Sequence, residues 1–214
     1  MPSHWTSRRE AIPCMLAIVS LVTPDWLPAA GGYTWVELGS LPGGSGIARG
    51  LSNQGEVAGR SGALHGTGTH AFIWTPKGDT QAIGALLGGD DNRAVSINGL
   101  GEVVGFSNTA TSIHAFLWSR KKGIQDLGRL PGDSGSRAYA ISDMGEVVGS
   151  SSGPRGIRAF LWTSSKGMQE LPGLPGATYT EALGINNSGQ VVGASGNSQV
   201  RRALDRKSVC RERV

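Results

Sequence analysis

The segment Arg137-Ala138-Tyr139-Ala140-Ile141 alternates small with large side chains, and Ala94-Val95-Ser96-Ile97 and Ala182-Leu183-Gly184-Ile185 keep that alternation. A period of two predicts a strand with a bulky face (Tyr139, Ile141) and a minimal face (Ala138, Ala140) that another sheet can approach closely. Ser142-Asp143-Met144-Gly145 comes next, matched by Asn98-Gly99-Leu100-Gly101 and Asn186-Asn187-Ser188-Gly189. Asn, Asp and Ser side chains bond nearby backbone and start turns, and Gly accepts positive φ, so these are hairpin connections. Glu146-Val147-Val148-Gly149 is the predicted returning strand. A polar loop follows, then Arg158-Ala159-Phe160-Leu161-Trp162 as a third strand, a turn at Ser165-Lys166-Gly167, and Met168-Gln169-Glu170-Leu171 as a fourth. Leu127-Gly128-Arg129-Leu130-Pro131-Gly132, echoed by Leu38-Gly39-Ser40-Leu41-Pro42-Gly43, breaks the sheet with its Pro and Gly and leads to the next copy.

The unit recurs about every 44 residues. His70-Ala71-Phe72-Ile73-Trp74, His114-Ala115-Phe116-Leu117-Trp118 and Arg158-Ala159-Phe160-Leu161-Trp162 are spaced 44 and 44, while Gly55, Gly101, Gly145 and Gly189 are spaced 46, 44 and 44. Copies at a fixed period of this size must stack on one another to bury their apolar faces. The fold class is therefore all-β, built of four-stranded antiparallel units. Four short strands per unit fit a blade of a partial β-propeller, a fold that uses about 4 to 8 blades; the alternative is an open β-solenoid. Trp35-Val36-Glu37-Leu38 reads as a fourth strand placed ahead of the first complete copy, an offset that lets the two ends share one blade. With about three and a half copies present, the ring is expected to stay open.

Composition narrows the partners. Of 214 residues, 34 are Gly and only 17% are charged, which suits short strands and tight turns. The sequence pI of about 9.4 suggests nucleic acid, but the charge is in the wrong place for it. Between Gly31 and Val200 there are 12 Lys/Arg and 12 Asp/Glu, and the formal +4 lies entirely in residues 201–214. An electroneutral repeat body excludes nucleic acid as a partner. Cys14 and Cys210 both lie outside that body, so disulfides and thiolate metal sites are excluded from it.

The two ends read differently from the middle. Residues 1–30 have the form of a signal peptide: Arg8 and Arg9, an apolar stretch from Ala11 to Val22, and small residues at Pro28-Ala29-Ala30-Gly31. That stretch is shorter than the about 20 residues needed to span a bilayer, so stable membrane insertion is not expected. The repeat domain is assigned to 31–203. Residues 204–214 abandon the repeat, and Asp205 to Val214 resembles a translated sequencing adapter, so the tail is set aside from the fold.

The Leu-Pro-Gly, Ile-Asn…Gly-Glu-Val-Val-Gly and His-Ala-Phe-Leu-Trp elements together resemble the HAF family of bacterial extracellular repeat proteins, over about residues 35–203. The resemblance implies a repeat β fold, secretion or display at the cell surface or periplasm, and no settled reaction or catalytic residues. Arg158 and Arg202 depart from the family's His, and Ala82-Ile83 from its Asp-Leu.

Candidate chemistry is thin. His70 and His114 are the obvious metal ligands, but Arg158 and Arg202 occupy the same position, and a guanidinium cannot coordinate a cation. The position instead asks for a flat donor at a strand start. Glu56, Glu102 and Glu146 end in Gln190, and Glu37, Asp126 and Glu170 are interrupted by Ala82, so either carboxylate series reads as cross-strand or solvated. Asp90-Asp91-Asn92 lacks calcium-loop spacing and reads as a polar turn. Phe72, Trp74, Phe116, Trp118, Phe160 and Trp162 read as core layers ahead of a sugar-stacking platform. No catalytic, cofactor-binding or metal-binding residue is assigned, and no cofactor is implied. The expectation is a secreted binding or structural scaffold whose Gly- and Ser-rich loops (Gly62 to Thr69, Ser107 to Ser112, Ser150 to Gly156) meet a polysaccharide or a protein. The alternative is a glycan-active hydrolase or lyase on the same scaffold.

Overall fold

The computed structural model describes residues 45–62, 68–86 and 89–197, with Leu38 and the strand segments Ala17–Ile18, Trp35–Val36 and Arg201–Arg206. Every described element is a strand. β1 (Ala17–Ile18) pairs antiparallel with β2 (Trp35–Val36). The first repeat sheet holds β3 (Gly46–Leu51), β4 (Val57–Gly62), β5 (Thr69–Trp74) and β6 (Thr80–Ala82) in chain order. The second holds β7 (Asn92–Ile97), β8 (Val103–Asn108), β9 (Ile113–Ser119) and β10 (Gly123–Gly128). The third holds β11 (Gly135–Ile141), β12 (Val147–Gly153), β13 (Gly156–Thr163) and β14 (Gly167–Glu170), and the fourth β15 (Tyr179–Ile185), β16 (Val191–Gly196) and β17 (Arg201–Arg206). One parallel pair, Ile157 with Tyr179, links the last two sheets.

The sheets stack face to face in the order of the chain, because the third strand of each of the first three units is apolar on both sides. In β13, Phe160 and Trp162 point toward the second sheet and join Val104, Ala115, Leu127 and Leu130 in one buried cluster. Ala159 and the partly buried Leu161 point the other way and join Ala182, Val191 and Ile185 of the fourth sheet. The same division recurs one seam earlier, where Phe116 and Trp118 of the second sheet meet Ala58, Ala71 and Ile73 of the first. The first strands β7, β11 and β15 each contact the sheet before them, including its own first strand, whereas the outer strands β10 and β14 approach far less. Convergence at the inner edge and divergence at the outer one is the radial stacking of a propeller. The chain is thus an all-β repeat protein with the architecture of a partial β-propeller, and the aromatic series Phe72 to Trp162 lies in its core.

The hairpins form as expected. Gly55, Gly101, Gly145 and Gly189 have φ of 79°, 71°, 75° and 72°, the left-handed turn position that Gly accepts. The Asn98 side-chain oxygen accepts the amides of Leu100 and Glu102 at 3.0 and 2.9 Å, and Asn186 does the same for Ser188 and Gln190.

Three expectations need correction. The simple alternation in the first strand is broken by a bulge: Ala138 pairs with Gly149 but Ala140 with Val148, leaving Tyr139 as the extra residue. Ala138 and Ile141 consequently share the buried face, while Tyr139 and Ala140 are half-buried. The same shift occurs at Ala48/Gly50, Ala94/Ser96 and Ala182/Gly184. Second, most of the supposed loop Ser150 to Gly156 is strand: β12 runs to Gly153 and β13 begins at Gly156. The Ser151 hydroxyl points inward there, accepting the Leu130 amide and donating to the Gly135 carbonyl. Third, of the early strand expected at 35–38, Trp35–Val36 is strand while Leu38 is not, and Leu38 is buried against Val57, Phe72 and Trp74; Glu37 lies outside the described residues.

Apart from Ala17–Ile18, the assigned signal segment lies outside the described residues, as does 207–214. β17 continues through Leu204, Asp205 and Arg206, so strand pairing extends past Ala203.

Each bulge leans on a glycine opposite. A Cβ on Gly149 would overlap the Arg137 carbonyl oxygen, and Gly105 and Gly193 meet Arg93 and Glu181 in the same way. Gly149→Ala is expected to destabilise the protein by about 1–3 kcal/mol, the range for overpacking. Gly62→Ala, whose Cβ would meet only Ser45 atoms at 3.8 and 3.9 Å, serves as the near-neutral control. Chemical denaturation midpoints of the two variants check this, and equal midpoints would contradict it.

Candidate functional site

Many polar groups recur from copy to copy and hold strands and copies together; others occur once. The repeated set begins with buried serines. Ser107, Ser151 and Ser195, spaced 44 residues apart, accept the amide N–H of Leu86, Leu130 and Leu174 at 3.1, 3.1 and 3.0 Å. Those leucines open the loops leading into each new sheet, so the hydroxyls clamp the connection. The Ala71 amide donates to Asn92 Oδ1 at 2.7 Å and that of Ala115 to Ser136 Oγ at 2.9 Å, tying third strands to the following sheet.

At the hairpin end, Gly99 N–H donates to Asp143 Oδ1 at 2.6 Å and Asp143 N–H to Asn187 Oδ1 at 2.8 Å, a ladder across three turns. The Gly99 amide, followed by Asn187, holds the Asp143 carboxyl below its ordinary range. The glutamate series belongs to this end. Glu56 pairs with Arg120 of the next sheet at 2.6 Å, and Glu102 accepts from Asn98 at 2.9 Å.

The histidine series and the second carboxylate series meet each other. His114 Nδ1 lies 2.8 Å from Asp126 Oδ2, and its Nε2 lies 2.8 Å from Arg129 Nη1. At the same place one copy later, Arg158 pairs with Glu170. The shared requirement is a planar donor facing an acid on the neighbouring strand, which His and Arg both meet. Both pairs are 12 residues apart, a constant offset visible in the sequence. Arg158 also reaches Asp133, with Nη2 and Oδ1 2.7 Å apart, and donates to the Pro131 carbonyl at 3.2 Å. Burial opposes the charge on Arg158, but Asp133 and Glu170 outweigh it and raise its pKa. Arg158 Nε and both Asp133 carboxylate oxygens are buried without an aligned hydrogen-bond partner. Asp133 has no acidic counterpart at Gly89 or Ala177, so no repeat announced it.

Asp90-Asp91-Asn92 is used as structure. Asp91 accepts from Thr69 and pairs with Arg93 at 2.9 Å, bridging the first two sheets. Among the described residues no three His, Cys, Asp or Glu side chains gather as a metal site. Among the same residues no helix is long and apolar enough to cross a membrane.

Outside those joins, polar side chains concentrate at two places, the first of which includes the recurrent Arg93 and Arg137, 44 residues apart. Along the inner strands, Arg93 and Arg137 stand over the Phe106 ring at 5.7 and 5.4 Å from its centroid. Next to them, Tyr139 OH lies 3.1 Å from Ser150 Oγ and donates to Glu181 Oε1 at 3.3 Å, while Tyr179 donates to the other oxygen of Glu181. Burial, with the Glu181 charge adding to it, pushes the Tyr139 phenol up. The bulge is what turns Tyr139 into this seam, so period-two reasoning could not place it. The second place is a pocket of about 210 Å³ between the third sheet and the loop leading into the fourth, lined by Arg155, Arg158, Glu170, Leu174 and Thr178 among others.

No protein-family profile and no curated protein matches the chain. Among solved structures it is similar to a virginiamycin B lyase from Staphylococcus aureus, at 12% identity and a TM-score of 0.48 over 84% of this chain and 61% of the lyase. It is also similar to a streptogramin B lyase, at 12% identity and a TM-score of 0.46 over 78% of this chain and 55% of that one. The chain therefore spans less than two thirds of the length of either.

The Asp91 bridge has a definite pH dependence. Burial favours the neutral acid, but Arg93 and Thr69 outweigh it and lower the folded-state pKa. A depressed carboxyl stabilises the fold fully above the unfolded value of about 3.9 and loses that stabilisation as pH falls through the folded value. Asp91→Asn is therefore expected to be less stable than the parent at neutral pH, with the gap closing as the solution is acidified. Denaturation midpoints measured through the carboxylate range check this, and a gap independent of pH would contradict it.

Proposed function

We propose that this chain is an extracellular binding scaffold of the HAF type, exported from a bacterial cell and presenting the seams of its propeller-like stack to a polysaccharide or a protein. The repeated sequence elements support the family and the location. The scaffold reading is carried by one observation: polar side chains that recur at fixed phase are engaged in contacts between copies or between strands of one copy. The serine clamps and the turn ladder join copies, and the His114–Asp126 and Arg158–Glu170 pairs join neighbouring strands within a copy, so these recurrent groups are engaged in holding the fold. What differs from seam to seam is the half-buried polar and aromatic lining, such as Phe106, Tyr139 and Tyr179, which suits recognition, where affinity comes from complementary contacts at a few positions.

The test is a screen of the full chain against bacterial and plant polysaccharides and extracellular proteins, scoring retention and product release together. Retention without product is expected. Release of product that disappears in Glu181→Gln would replace this reading with a glycan-active enzyme, because Glu181 is the carboxylate most closely surrounded by unrepeated groups.

A further inference from the structure

The pocket between the third sheet and the fourth contains chemistry that the other described seams lack. Its apolar wall is formed by Ile157, Leu171 and Leu174, and its polar side by Arg155, Glu170 and Thr178. Arg158 stands at the back, buried, its charge met by Asp133 and Glu170 and its Nε unpartnered. Arg155 is 61% exposed in its side chain and lies 3.7 Å from Glu170, too far for a hydrogen bond; its Nη2 donates to the Pro131 carbonyl at 3.4 Å, which leaves its other N–H groups to donate. Glu170 gives Oε2 to Arg158 and is 45% exposed, which leaves its other oxygen to accept. One seam earlier Arg129 extends to His114, whereas the corresponding residue here is Gly173, which carries no side chain.

Charge and size define the ligand. The two guanidiniums and the two carboxylates cancel, so neither an acid nor a base gains from long-range attraction, and an anion would meet the exposed edge of Glu170. A neutral molecule carrying several hydroxyls satisfies a fixed donor beside a fixed acceptor, and an apolar wall suits its C–H face. At about 210 Å³ the pocket is below the roughly 300–1,000 Å³ of sites for drug-sized ligands, which leaves room for one ring. We propose that this pocket binds a single neutral sugar unit, free or as a terminal residue of a glycan, with Arg155 donating to and Glu170 accepting from neighbouring hydroxyls. The proposal rests on the binding-scaffold reading and names its ligand class.

The experiment is ligand-observed NMR on the full chain with neutral hexoses, 6-deoxyhexoses and N-acetylhexosamines, with hexuronic acids alongside. Saturation transfer to at least one neutral sugar is expected, falling at least tenfold in apparent affinity in both Arg155→Ala and Glu170→Gln. Lys166→Ala, outside the pocket lining, is expected to bind as the parent does. Arg155→Ala removes an exposed side chain, and an unchanged denaturation midpoint separates lost binding from lost folding. Binding that survives both substitutions, a preference for uronic acids, or no transfer from any sugar would overturn the proposal. In the last case, retention of a protein partner in the broader screen would leave the scaffold reading standing.

Discussion

The structure depends on one contact: an aromatic strand face laid on the small-residue face of the preceding sheet. Phe72, Phe116 and Phe160 are each fully buried, and each alternates along its strand with Ala or a branched aliphatic residue that meets the opposite neighbour. Burying a side chain of this kind is worth about 1.5–3 kcal/mol, and every seam contains several. No single sheet buries both of its faces, so a sheet is stable only as part of the stack. The bulged first strand follows from this demand. It brings Ala138 and Ile141 onto one face, which strict alternation would separate, and the glycine opposite leaves room for the displaced carbonyl.

Polar chemistry is arranged around that seam. Main-chain groups at the sheet junctions are enclosed, and an enclosed amide without a partner costs about 1–3 kcal/mol, so a serine or asparagine is supplied wherever the chain passes between sheets. Ser107, Ser151 and Ser195 do this for the leading loops, and Asn92 and Ser136 for the third strands. Residues committed in this way recur with the period of the fold. Those free of the commitment, such as Arg155, Tyr139 and Glu181, differ from copy to copy and give each seam its own surface.

Much of this could be read from the chain. Period, strand count, hairpin positions and the core role of Phe160 and Trp162 follow from alternation and from the turn residues, because both are local. What escaped depends on pairing. The bulge at Tyr139 appears only when β11 is set against β12, and Ser151 resembles a loop residue until its bond to Leu130 is seen. His114 and Asp126 belong to separate series along the chain that only their constant offset links, and Asp133, which occurs once, leaves no periodic trace of its tie to Arg158. The pocket is legible only through the exchange of Arg129 for Gly173, whose meaning requires the fold.

Residue-resolved hydrogen exchange on Phe160→Ala tests the stacking account most directly. Phe160 belongs to the third sheet but packs on Val104 and Ala115 of the second, so the account predicts lost protection in β8 and β9 as well as in β12 and β13. Loss confined to β12 and β13, with the second sheet as protected as in the parent, would contradict it.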